Sequence, residues 1–120
     1  MDPTAESILT SIKKLLGIEE TYDHFDPDII IHINTAFSIL QQLGVGPEGG
    51  FRITDKTSSW GEYTSDLKKL NMVRDYVYMK VRLIFDPPSA GTVVEAYKEL
   101  ISETEWRLNV AVDPKEENVL

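Results

Sequence analysis

The stretch RLIFDPPSAGTVVEAY, residues 82–97, carries a long apolar run into Asp86-Pro87-Pro88 and begins a new periodic pattern within a few residues. Proline has no amide proton and its ring collides with the preceding turn, and the residue before a proline is driven out of the helical region. Phe85 and Asp86 therefore end one helix. Ser89, Ala90 and Gly91 leave room for a turn, and Ser89 or Thr92 can cap the helix that follows. The stretch predicts an αα-hairpin with a hard corner.

Upstream of the corner, residues 66–85 form the expected third helix. Its second half gathers Tyr76, Val77, Tyr78, Met79, Val81, Leu83, Ile84 and Phe85, and a helix apolar on nearly all sides is covered on two of them. Downstream, residues 89–109 place Val93, Val94, Tyr97, Leu100, Ile101, Thr104 and Leu108 within one stripe. Counting 100° per residue from Tyr97, Trp106 falls on the opposite side with Glu95, Glu99 and Ser102. A large aromatic there reads as an inter-subunit or partner contact, against the competing reading that it packs beneath the first helix.

Toward the N-terminal end, Asp2-Pro3 is expected to open the first helix, with aspartate as the cap and proline in the first turn. Ile8, Leu9, Ile12, Leu15 and Leu16 supply its stripe and Gly17 its end. After a loop over residues 18–25 the same device recurs at Asp26-Pro27. The second helix shows Ile29, Ile30, Ile33, Ala36, Phe37, Leu40 and Leu43 on one face, with Ile31 pointing away, and stops at Gly44. Residues 44–65 break the helical period: Phe51-Arg52-Ile53 alternates like a brief strand, and Trp60 is the expected anchor.

The fold class is thus all-α: a small four-helix domain over residues 1–109, with an αα-hairpin and a short extended or hairpin connector between helices 2 and 3. Residues 110–120 are expected to form a flexible tail in the isolated subunit that becomes ordered against a partner. Val110-Ala111-Val112 alternates as a short strand would, Pro114 prevents helical continuation, and the charged remainder buries too little apolar area to offset its ordering entropy.

The 120 residues and 13.6 kDa, 42% hydrophobic, suffice for one core and one domain. No run approaches the roughly 18 apolar residues of a membrane span, and Met1-Asp2-Pro3 lacks the basic start of a secretory signal, so the expectation is a soluble intracellular chain with no membrane partner. The absence of cysteine excludes disulfides, thiolate nucleophiles and cysteine-ligated metals. Twelve basic against twenty acidic residues, a net charge of -8, disfavour adhesion to a phosphate backbone. Lys68, Lys69, Arg74, Lys80 and Arg82 nonetheless cluster in one segment, which suits either self-association through complementary patches or plain solvation.

Few residues suggest chemistry. Gly44-Val45-Gly46-Pro47-Glu48-Gly49 matches the three-glycine dinucleotide fingerprint, but it follows a helix rather than a strand, Pro47 removes an amide donor and Glu48 repels phosphate. His24 and His32 lack a second ligand at helical spacing, and Asp23, Asp26 and Asp28 lack the glycine and glutamate of a calcium loop, with Asp26 assigned to capping. Glu99 and Glu103 share a face without a burying cleft, and Glu103 with Arg107 reads as an ordinary intrahelical ion pair. No catalytic, cofactor-binding or metal site is expected, and the chain is not read as an enzyme. A small helical DNA-binding regulator is the alternative, weakened by an apolar third helix and the wrong sign of charge.

Taken together, FDPDIIIHINTAFSILQQLGVGP, GF followed by an isolated W, RLIFDPP and ETEWRLN resemble the small head-tail connector, or adaptor, proteins of long-tailed bacteriophages and related prophages, over residues 8–109. The resemblance implies a mainly helical subunit of the virion neck, assembled in the host cytoplasm into a homo-oligomeric, dodecameric ring beneath the portal. Such a ring extends the DNA channel, lets genomic DNA pass without tight binding, and offers a surface to the next head-completion or tail-completion protein. Head-to-tail ring contacts require two different faces on each subunit. Trp106, Arg107, Ile31, Lys80, Arg82, Val110, Ala111 and Val112 are the interface candidates. Asp86-Pro87-Pro88 is expected to hold the corner rigid so that subunit geometry repeats around the ring.

Overall fold

The corner forms where the two prolines put it. In the computed structural model, which describes residues 2–112, the helix before it runs Leu67–Phe85 (α4) and the helix after it Gly91–Val112 (α5). Asp86 leaves the helical region at φ -151° and ψ 70°. The corner is also latched: Asp86 N–H donates to Arg82 O at 3.0 Å, and Arg82 Nε donates to Asp86 O at 2.8 Å, so the guanidinium closes the α4 carboxyl end. The following helix starts two residues later than expected. Among the described residues neither Ser89 nor Thr92 caps it with a side-chain hydrogen bond; Val93 and Val94 amides close the first turn on Ala90 O.

Ahead of the hairpin lie a 3-10 turn over Pro3–Ala5, α1 (Ile8–Leu15), α2 (Asp26–Gln42) and a single-turn α3 (Trp60–Tyr63). The described residues are all-α, as expected, with five helices instead of four because the connector contains α3. Gly17 and Gly44 end α1 and α2 at φ 80° and 84°, where a side chain would be strained, and the amides of Ile18 and Val45 reach back to Lys13 O and Leu40 O.

Central α4 packs against α2 on one side and α5 on the other, with α1 also in contact. Leu70, Val73, Tyr76, Val77, Met79 and Val81 are buried there, matching the two-sided covering expected of this helix. The fifth helix differs from expectation. Its stripe buries only Ile101 and Leu108, while Val93 and Leu100 stay 40% and 46% exposed. Its one extensive neighbour is α4, and a single helix cannot cover a stripe that wide. The helix also runs through Val110 and Ala111 to Val112, so these residues are helical and not a short strand. Residues 113–120, the remainder of the expected tail, lie outside the described residues.

Two local expectations are corrected by the hydrogen bonds that side chains make. Asp2-Pro3 opens the 3-10 turn and not α1: Asp2 Oδ1 accepts from Thr4 N and Oγ1, the chain then extends through Glu6, and Ser7 caps α1 by accepting from Thr10 N. The extended residues pair once with the connector, Ile8 N–H donating to Ser58 O and Trp60 N–H to Glu6 O. Second, Phe51-Arg52-Ile53 forms no strand or hairpin. Buried Asn34 of α2 replaces the strand partner, its Nδ2 donating to Ile53 O at 2.9 Å and its Oδ1 accepting from Ile53 N–H at 2.8 Å.

Asn34→Ala would leave both Ile53 backbone groups buried and unpaired. Stability by urea denaturation is expected to fall by about 2 kcal/mol. A loss under about 0.5 kcal/mol, the scale of an ordinary surface substitution, would show that the connector is held by other contacts.

Candidate functional site

Among the described residues α5 leaves four large hydrophobic side chains open: Val93, Leu100, Trp106 and Val110. Trp106 is 66% exposed, and Val110, one turn on, is 45% exposed. At 100° per residue these two form one strip, Val93 and Leu100 form a second, and Glu103 and Arg107 lie between them. Arg107 Nη2 donates to Glu103 Oε1 at 2.8 Å, an exposed pair worth about 0.3–0.5 kcal/mol that also holds the arginine fork flat along the helix. Trp106 therefore does not pack beneath α1. Ala111 is exposed beside these strips.

The inner side of α5 is fixed by polar ties. Tyr76 OH donates to Glu105 Oε2 at 2.7 Å, and burial together with this hydrogen bond holds the phenol well above its ordinary pKa. Asn109 Nδ2 donates to Leu43 O at 3.1 Å, docking the far end of α5 on the end of α2. Near the corner Arg82 Nη1 donates to Tyr78 OH, whose oxygen lies 3.5 Å from Tyr97 OH. The Tyr78 contact and burial raise the Tyr97 pKa. These ties set the rotation of α5 and so decide which face carries Trp106 outward.

The interface candidates separate into groups. Trp106, Arg107, Val110 and Ala111 share the outer half of α5, and Val112 continues that helix. Ile31 stands on α2, 59% exposed as its place off the stripe implied, and lines a cleft of about 400 Å³ with Asn34, Ser38 and Arg52. Lys80 is half-buried on α4. Arg82 is engaged inside the corner, with Nε and Nη1 both spent on internal acceptors. The five basic residues of this segment do not make one band, because at 100° per residue Lys68, Lys69, Arg74, Lys80 and Arg82 fall on different sides of the α4 axis.

The structure also shows what the sequence pattern concealed. Lys13 is buried, with Nζ donating to Glu20 O and Tyr22 O and lying 2.9 Å from Asp26 Oδ1, so Asp26 is the counter-charge of a buried lysine and not a helix cap. Ile84 and Leu67 are more than half exposed. The glycine fingerprint is a helix end followed by a turn packed on Tyr63, whose hydroxyl is buried and whose pKa burial raises. His24 is exposed and stacks edge-on against Phe25 at 4.9 Å between centroids.

Among the described residues no three His, Asp or Glu side chains converge as a metal-binding group, and no helix is long and apolar enough to cross a membrane. Neither curated proteins nor solved structures give a match to the chain. The family described as Phage connector protein matches residues 8–115, a span holding the whole of α1 through α5. The open face of α5 thus sits on a chain that belongs to the phage connector protein family, whose role is that of a structural head-tail connector.

Proposed function

We propose that this protein is a virion adaptor that assembles as a homo-oligomeric ring, dodecameric in the virion, between the portal and the next head-completion or tail-completion protein, lengthening the channel through which DNA passes. The observation that carries the reading is Trp106, two-thirds exposed on a helix fixed rigidly to the core of a connector-family chain. Aromatics of this kind concentrate at the energetic centres of interfaces, and a head-to-tail ring needs a face distinct from the one it meets. Trp106, Arg107, Val110 and Ala111 form one such face, Val112 continues the same helix, and Ile31 and Lys80 belong to other faces. The net charge of -8 favours a channel wall that repels DNA and lets it slide. The runner-up, a DNA-binding regulator, loses its reading helix, because α4 is enclosed between α2 and α5 and cannot enter a groove.

Trp106→Ala tests the assignment. Because the side chain is mostly in solvent, stability is expected to change by no more than about 0.5 kcal/mol. Assembly with purified portal, read by native mass spectrometry, is expected to weaken by about 30-fold, the loss of an interface anchor of about 2 kcal/mol. A variant that folds and assembles like the parent protein removes Trp106 from the interface.

A further inference from the structure

We propose that Trp106 of one subunit seats in the cleft beside Ile31 of the partner subunit, a second copy of this chain, so that α5 of each subunit lies along α2 of its neighbour. The inference rests on the ring reading of this protein and names the contact that repeats around the ring. A head-to-tail contact needs two faces that point in different directions. Here α4 packs between α2 and α5. Trp106 lies on the side of α5 away from its α4-facing stripe, and Ile31 lies about 160° around α2 from buried Ile33, counted at 100° per residue. The two faces therefore look away from each other across the subunit, and neither can satisfy the other within one chain.

Three observations select a second copy as the occupant. The first is an open helix face without charge. Ile31, Thr35, Ser38 and Gln42 are all exposed and fall within about 60° of one another on α2. No Asp, Glu, Lys or Arg occurs over residues 29–47, in a chain that is 27% charged. The solvent side of a helix ordinarily carries charge, and its depletion marks the centre of an interface. The second is charge complementarity. Among the described residues Arg52 is the one charged side chain lining the cleft; it is exposed and forms no ion pair. On α5, Glu95, Glu99 and Glu103 lie within about 60° of Trp106, and Glu99 forms no ion pair among the described residues. The third is spacing. Val110, Trp106, Glu103 and Glu99 step back along α5 by four, three and four residues, and Ile31, Thr35, Ser38 and Gln42 advance along α2 by the same intervals. Laid antiparallel, the two helices bring Val110 to Ile31, Trp106 to the cleft beside Thr35, and the two glutamates to Ser38 and Gln42. Arg52 borders Ser38 and Gln41, so its guanidinium meets both carboxylates. The cleft of about 400 Å³ admits one aromatic side chain, and the hydroxyls of Ser38 and Thr54 line it as acceptors for the indole N–H.

The absence of cysteine makes the test direct. The full chain carrying Ile31→Cys and Val110→Cys is assembled on purified portal and mildly oxidised. A ladder of covalent multimers is expected, formed about tenfold faster than with Lys14→Cys and Val110→Cys, because docking raises the effective concentration of the facing pair. Lys14 is exposed on α1 and does not line the cleft. In the cysteine-free chain, Arg52→Glu is expected to weaken assembly about tenfold by setting like charges opposite each other, and adding Glu99→Arg to bring it back within about threefold of the parent. Protein that binds portal without forming the ladder overturns the contact and leaves the ring reading standing, and so does a charge exchange that restores nothing. Fast dimers from Val110→Cys alone overturn it as well, since two α5 faces would then meet each other. A parent chain that does not assemble on portal overturns the ring reading, and the contact falls with it.

Discussion

Trp60→Ala is expected to lower the melting temperature by roughly 10–20 °C, the equivalent of about 3–5 kcal/mol in a domain of this size. Trp60 has no exposed surface, yet it belongs to a single-turn helix that could not persist alone. Its ring stands edge-on to Phe37 at 6.3 Å, in an aromatic group completed by Tyr63 and Phe51 around the same phenylalanine. Nε1 donates to Ser11 Oγ at 2.8 Å, and that hydroxyl donates in turn to Ile8 O, so one indole joins the connector, α1 and α2. The backbone N–H of the same residue holds the extended N-terminal segment through Glu6 O. Alanine would leave a cavity where three segments meet and nothing adjacent can collapse to fill it. Trp60→Phe separates the contributions. It keeps most of the packing and removes the indole donor, while Ser11 keeps its bond to Ile8 O, so the cost is expected near 1–2 kcal/mol. Circular dichroism at 222 nm during heating reads both variants, and fluorescence checks the burial, since removing Trp60 leaves only the exposed, red-emitting Trp106. A Trp60→Ala protein that melts within about 3 °C of the parent would show that the connector packs independently of its anchor.

The parts of this fold that were legible in the sequence are those decided by chain-local chemistry. Asp86-Pro87-Pro88 cannot continue a helix whatever surrounds it, and Gly17 and Gly44 take up positive φ because the backbone at a helix end demands it. Ile31 reads as exposed because seven neighbours define the opposite face. Two readings failed where the deciding partner is distant in the chain. The alternation at Phe51-Arg52-Ile53 is the pattern of a strand, but its hydrogen-bonding partner is the amide of Asn34, nineteen residues away. Val93 and Leu100 share the period of buried Ile101 and Leu108, but periodicity does not say how many helices stand beside the stripe, and α5 has one extensive neighbour. Arg82 differs, because it is engaged locally at the corner, by Asp86 O and Tyr78 OH, each four residues away. Trp106 is exposed off the stripe, and that disagreement with the stripe is itself a sequence property.

The buried Lys13 is the other residue whose loss is expected to be severe. Helical position alone gives no sign of this role, since Lys13-Lys14 near the end of α1 reads as a solvated pair. In the fold only Lys14 is solvated. The Lys13 side chain is 3% exposed, with Nζ 3.0 Å from Glu20 O, 2.7 Å from Tyr22 O and 2.9 Å from Asp26 Oδ1. One ammonium therefore gathers the loop between α1 and α2 and the first turn of α2. Burying it costs several kcal/mol unless it is matched, and here two donors meet carbonyl oxygens while the Asp26 carboxylate supplies the counter-charge at 2.9 Å. Lys13→Ala removes the charge and leaves the loop carbonyls and the carboxylate to find water; Asp26 is a quarter exposed and can recover part of that. The expected loss is about 3 kcal/mol, toward the lower end for a broken buried pair. Asp26→Ala leaves the ammonium with two carbonyls and no counter-charge, and about 2 kcal/mol is expected because the neutral acceptors remain. If the charge pair is the main element, the double variant is less unstable than the two losses added together, with a coupling of about 1–2 kcal/mol from urea denaturation of the four proteins. A coupling near zero would mean that Lys13 acts through the loop carbonyls alone, and Asp26 would then matter only through its place in the first turn, where a negative charge favours the helix dipole by about 0.3–1 kcal/mol.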